Sequence, residues 1–131
     1  MGILNKVFGT SESQEVKPKI DWNNLTDLKD LDDVSQKSFE TPVFIFKHST
    51  TCSVSRMAIK QFENEYNLNE NQVVPYYLDL LKHRDISNEI ASKFEVIHQS
   101  PQLILIKNGK AVYSKTHSEI DFNELKNNTL Q

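Results

Sequence analysis

A single cysteine, Cys52, serves all 131 residues. The chain cannot close an internal disulfide, so its fold does not depend on oxidative stapling, and a reducing, cytoplasmic setting is the simpler expectation. One cysteine and four scattered histidines also lack the ligand spacing of a zinc site, so no metal is expected. No apolar run approaches the roughly 18–20 residues that span a bilayer. At the start, Ile3-Leu4 is broken by Asn5-Lys6 before Val7-Phe8, which leaves no apolar centre for a signal peptide. Met1-Gly2 is followed by Lys6 where a myristoylation start wants Ser or Thr. No membrane association follows from these features. An excess of basic charge is missing too: the formal net charge is −3, and no segment is dominated by Lys and Arg. That argues against broad electrostatic binding to nucleic acid.

What remains is an ordinary globular composition, 25% charged and 37% apolar, in a chain long enough to bury one core. Residues 1–19 read as a flexible N-terminal segment. Ile3, Leu4, Val7 and Phe8 can share a helical face, and the polar stretch Gly9–Glu15 has no period. Residues 20–131 read as one domain. Ile20 and Trp22 suit a short edge strand. Leu28, Leu31 and Val34 recur at helical spacing over 27–37, with Thr26 as N-cap and Asp27 in the first turn. Val43-Phe44-Ile45-Phe46 is apolar on both faces, as in a central strand covered by helices.

Val54, Ala58, Phe62 and Tyr66, flanked by Met57 and Ile59, predict a helix from Cys52 to Tyr66. Val73–Leu80 has strand composition, with Pro75 pushing its start toward an edge or bulge. Ile86, Ile90, Ala91 and Phe94 predict a helix capped by Asp85 or Ser87. Leu103–Ile106 is a second buried strand, and Asn108-Gly109 signals a tight hairpin returning through Ala111–Tyr113. Ile120, Phe122 and Leu125 suit a last helix whose polar end, Asn127–Thr129, frays. Parallel units followed by an antiparallel hairpin and a helix predict an α/β fold with a central mixed sheet flanked by helices.

Cys52 lies where the first central strand turns into a helix, and backbone N–H groups at a helix start favour the negative charge of a thiolate. Disulfide exchange needs that thiolate. The competing account makes Cys52 a small buried hydrophobe. Spacing alone leaves both open.

Two stretches narrow the choice: Phe46-Lys47-His48-Ser49-Thr50-Thr51-Cys52-Ser53-Val54-Ser55, and Val96-Ile97-His98-Gln99-Ser100-Pro101-Gln102. Their order and spacing within this strand–helix pattern resemble the thioredoxin-like fold, and more narrowly the monothiol bacilliredoxins of the YtxJ type, over roughly residues 20–127. The resemblance implies an enzyme, a thiol–disulfide oxidoreductase that removes bacillithiol from mixed disulfides on client proteins. It implies no tightly bound cofactor, bacillithiol as co-substrate, and an external reductant or second low-molecular-weight thiol to regenerate the protein.

Carried over, Cys52 is the attacking cysteine. Ser55 occupies the place of the resolving cysteine of dithiol thioredoxins, in a C-x-x-S motif, and Pro101 is the proline preceded by a cis peptide bond. The family usually has proline after the cysteine, where this chain has Ser53. Ser53 and Ser55 are expected to offer donors to the sulfur, and Ser100 to present its backbone to substrate. Thr51, His48 and His98 border the two motifs, and a histidine near a thiol can accept a proton or stabilise a thiolate. Lys47 and Arg56 can attract a carboxylate-bearing thiol. Two other readings stay open: a thioredoxin-like module that binds peptides without thiol chemistry, and an iron–sulfur carrier resembling the monothiol glutaredoxins. The latter is disfavoured because their Cys-Gly-Phe-Ser is not matched here.

Overall fold

A computed structural model describes residues 20–131, and the expectations for residues 1–19 lie outside the described residues. The elements are β1 (Asn23–Asn24), α1 (Asp30–Lys37), β2 (Val43–His48), α2 (Ser53–Glu65), β3 (Val74–Asp79), α3 (Arg84–Lys93), β4 (Gln102–Lys107), β5 (Lys110–Thr116), a 3-10 turn (His117–Glu119) and α4 (Phe122–Thr129). The sheet runs β1-β3-β2-β4-β5. β3 pairs in parallel with β1 and β2, and β4 pairs antiparallel with β2 and β5. Among the described residues no helix is long and apolar enough to cross a membrane.

Every residue of β2 is buried, so its side chains, pointing alternately to opposite faces, need two separate covers. Phe44 and Phe46 pack with Phe62 and Tyr66 from the α2 side, Leu103 and Leu105 from β4, and Phe122 and Leu125 of α4. Val43 and Ile45 pack on the other face with Leu31 and Val34 of α1, Ile86 and Ile90 of α3, and Ile104 and Ile106. Trp22 closes the first core at the sheet's edge. Its ring meets Phe44, Phe46, Phe62 and Tyr77, and its indole N–H donates to Glu63 Oε2 on α2 at 2.7 Å.

Several boundaries differ from expectation for physical reasons. The first strand is Asn23–Asn24, because only these residues reach the register of Tyr76 and Tyr77. Residues 27–29 form a turn rather than helix. There Asp30, not Thr26, organises the start, its carboxylate accepting from the Thr26 and Asp27 amides. Neither Asp85 nor Ser87 caps α3, whose N-cap is His83. Asp85 accepts from the next amide, Ile86, and Ser87 is buried on the inner face.

Pro75 lies inside the sheet, paired with Phe44 of β2, but short β1 begins only opposite Tyr76. The neighbouring carbonyl face is closed instead by Asn23 Nδ2 donating to the Pro75 oxygen. The end of α4 stays in the helix, with Thr129 buried and its hydroxyl donating to the Leu125 carbonyl. Asn108 and Gly109 both take positive φ, 53° and 79°, the backbone of a two-residue hairpin turn.

Candidate functional site

The antiparallel register sets Lys47 opposite Gln102, so the end of β2 lies beside the start of β4. The loop carrying Cys52 and the Ser100–Pro101 peptide therefore leave the sheet at the same end. That peptide is cis, and Pro101 is buried. Cys52 is a free, half-buried thiol at the N-cap of α2, with extended backbone (φ −97°, ψ 122°). Its amide donates to the Ser49 carbonyl at 3.2 Å, and its carbonyl accepts from the Arg56 amide at 3.0 Å. Ser53 is the first helical residue, and both it and Thr51 are exposed. Arg56 bridges the loop, Nη1 donating to the Thr50 carbonyl at 3.2 Å.

Ser55 has its hydroxyl engaged by His48 and Ser49. It is completely buried, and its hydroxyl oxygen accepts from the Ser49 amide at 3.0 Å and lies 2.7 Å from His48 Nδ1. The one hydroxyl holds the Ser49 amide and the His48 ring together. Strand, loop and helix are thus tied through one serine. His48 stacks edge-on to Phe46 and tilts against Tyr77. Burial holds its pKa below the usual histidine value, Asp79 and Glu63 pull it back up, and Arg56 adds to the lowering.

His98 belongs to the opposite face of the sheet. Its Nδ1 lies 3.1 Å from Lys47 Nζ and 3.2 Å from Ser87 Oγ, while the residue as a whole is exposed. Its pKa is also depressed, by desolvation first and then by the charges of Lys47 and Arg84. The two histidines therefore do not act as a pair.

Lys47 is fully buried and cannot meet a ligand's carboxylate at the surface, contrary to the sequence expectation. Its ammonium donates to the Ser87 carbonyl at 3.4 Å, and burial pulls its pKa down to about 8.

Sequence reasoning missed Ser87 as a partner of His98, and it missed Gln102. Gln102 is buried at the start of β4, and its amide donates to the Ile97 carbonyl at 2.9 Å and to Ser114 Oγ at 3.3 Å, fastening the 97–100 segment. A glutamine directly after the proline at a strand start was the available signal. Ser100 is half-buried, and its Oγ has no hydrogen-bond partner among the described residues. Apolar residues on the first turns of α2 and ahead of the cis-proline are turned outward: Val54 is 46% exposed, Met57 72% and Ile97 82%. Among the described residues no group of three or more His, Cys, Asp or Glu could hold a metal ion.

A strand–helix sheet of this order, with a cysteine heading α2 and a cis-proline at the same sheet end, defines a thioredoxin-fold protein. Solved structures agree. The chain is similar to a thioredoxin-fold protein proposed to be an oxidoreductase (TM-score 0.69, 32% identity, covering 82% of this chain and 92% of that one). It shares the fold of the thioredoxin Mala s 13 of Malassezia sympodialis (TM-score 0.64, 19% identity, 92% and 97% covered). It also shares that of the long form of spinach chloroplast thioredoxin f (TM-score 0.62, 15% identity, 82% and 85% covered). Residues 23–125 match the family model described as monothiol bacilliredoxin BrxC, and the chain belongs to that family. Family and fold together point to thiol redox chemistry and thiol-bearing partners.

Proposed function

We propose that the chain is a monothiol thiol–disulfide oxidoreductase that strips bacillithiol from mixed disulfides on client proteins in the cytoplasm. One observation carries the reading: the only cysteine heads α2, and the residue three positions on is a buried serine already engaged by His48 and Ser49. A thiol there is solvent-accessible yet has no second thiol to resolve it.

The chemistry follows from this. The Cys52 thiolate attacks the bacillithiol sulfur of the client disulfide, the client leaves as a thiolate, and Cys52 keeps the small thiol in a new mixed disulfide. A second bacillithiol thiolate then attacks that adduct, releasing Cys52 and forming the small-thiol disulfide, which an external reductant consumes. Thr51 and Ser53 flank the sulfur. Ser100 and Pro101 line the adjoining backbone edge, with His48 beneath the loop and His98 at its border.

Intact-mass analysis tests the proposal. Wild type incubated with a bacillithiolated protein should gain one small-thiol adduct, and Cys52→Ala should gain none. An unmodified Cys52 that also resists alkylation in the folded state would rule out the mechanism. If Cys52→Ala still holds the client, the protein is a binding module. Ser55→Cys is expected to form an intramolecular disulfide after oxidation; both cysteines remaining open to alkylation would show that residue 55 is misassigned.

A further inference from the structure

Residue 56 lies one helical turn beyond the thiol: the Arg56 amide donates to the Cys52 carbonyl at 3.0 Å, closing the first turn of α2. Its side chain runs back to the loop ahead of the thiol, where Nη1 donates to the Thr50 carbonyl at 3.2 Å. Thr50 is two residues from Cys52, and two chain steps span at most about 7.6 Å between Cα atoms. Backbone and side chain thus each tie Arg56 to the segment that carries the thiol.

A guanidinium has five N–H donors, and the Thr50 contact uses one. Among the described residues no carboxylate pairs with Arg56. The surroundings explain why. No Asp or Glu occurs between Glu40 and Glu63, in a chain that has 18 of them, and α2 is the one described helix without an acid in its first turn. The two carboxylates whose charge reaches His48 are engaged elsewhere. Glu63 Oε2 accepts from the Trp22 indole, and Asp79 Oδ1 from the Leu81 and Lys82 amides. The strand, loop and first turns of helix around the thiol therefore carry positive charge with no acid of their own to neutralise it. An exposed, preoriented guanidinium in such a place is a fork for a planar carboxylate that arrives from outside.

We propose that Arg56 is the specificity-determining residue of the exchange: its free guanidinium edge takes a carboxylate of the small thiol carried on the client disulfide. This rests on the exchange reaction proposed above and names the group that selects its substrate. The bonds made and broken at Cys52 are unchanged. An acidic residue beside the client's disulfide would offer the same chemistry, so the test separates the two sources.

The whole chain is exposed to two symmetrical disulfides that differ in the carboxylate, dithiodipropionate and hydroxyethyl disulfide. Each reacts with the Cys52 thiolate to leave one small-thiol adduct and release one small thiolate, and intact mass follows the rate. The ratio of the charged rate to the neutral one should fall about fivefold in Arg56→Met, the upper scale of an exposed ion pair. Arg56→Lys, which keeps the charge and loses the fork, should lower it less. Changes in folding or in thiol reactivity move both rates together and leave the ratio alone, so a ratio unchanged in Arg56→Met would overturn the proposal. An effect of Arg56 seen only with protein clients, and lost when acids beside their disulfide are neutralised, would assign its partner to the client and overturn it too. Reaction of Cys52 with neither disulfide would overturn the exchange reaction itself, and the carboxylate contact with it. Rapid exchange with an unchanged ratio overturns the present proposal alone.

Discussion

At the scale of single residues, Lys47 is a buried cation that the fold keeps at a cost in stability. Its pKa falls to about 8 in the fold, so between that value and a lysine's ordinary one the unfolded chain binds more protons than the folded chain. The penalty of the buried charge is therefore fully present below about pH 8 and lifts as pH rises toward 10. Lys47→Met should stabilise the protein at neutral pH by about 1–3 kcal/mol, as apolar replacement of a buried charge often does. Urea titrations at increasing pH should show that gain shrinking above pH ~8. A constant gain at all pH values would mean that packing, not charge, separates the two proteins. None of this was legible in the sequence. A lysine following four apolar strand residues reads as the solvated end of a strand, and only the sheet's pairing shows that α3 covers it. Cys52 was legible, because a lone thiol between a strand pattern and a helix pattern has few places to go.

At the scale of elements, α2 is held to the sheet end by polar bonds at its first turn and by aromatic packing further along. Ser55→Ala would leave the Ser49 amide and His48 Nδ1 without partners inside the protein. A cost of about 2 kcal/mol is expected from a buried ring nitrogen and a half-buried amide losing a shared hydroxyl. Because the amide belongs to the Cys52 loop, hydrogen exchange of residues 49–52 should quicken in this variant more than exchange in β4. Uniform acceleration would show that the serine serves global stability only.

The helical period predicted α2 almost to the residue but misjudged its faces. Val54 and Met57 lie outward and Ser55 inward, because the first turn runs past the end of the sheet, where a hydroxyl is needed to join strand, loop and helix. Asn108-Gly109 fixed the hairpin correctly, since both residues tolerate the positive φ that this turn imposes. The start of α1 was misplaced by three residues: Asp30 accepts from the Thr26 and Asp27 amides, and it is Asp27, not Thr26, that accepts from the Lys29 amide.

At the scale of the molecule, the order of strands and helices was recoverable because each face of the sheet has its own apolar cover, and periodicity reports covers well. Registers and buried polar partners were not, since they depend on which elements meet in space, as Lys47 meets Ser87 of α3. Both faces also carry a histidine whose pKa is depressed, His48 on one and His98 on the other. Below the ordinary histidine value the unfolded chain takes up protons that these two refuse, so stability is present above about pH 6.5 and is lost as pH falls toward the folded values. Denaturant midpoints should drop between about pH 7 and pH 5. The drop should be shallower in a His48→Gln, His98→Gln double variant. An identical drop in both proteins would assign the acid sensitivity to the carboxylates.

Trp22 gives the protein a built-in optical reporter. It is the chain's only tryptophan, and its indole bridges the edge of the sheet to Glu63 on the helix that Cys52 heads. Its emission follows the seating of that helix, so the state of the thiol-bearing element can be watched in solution without attaching a label.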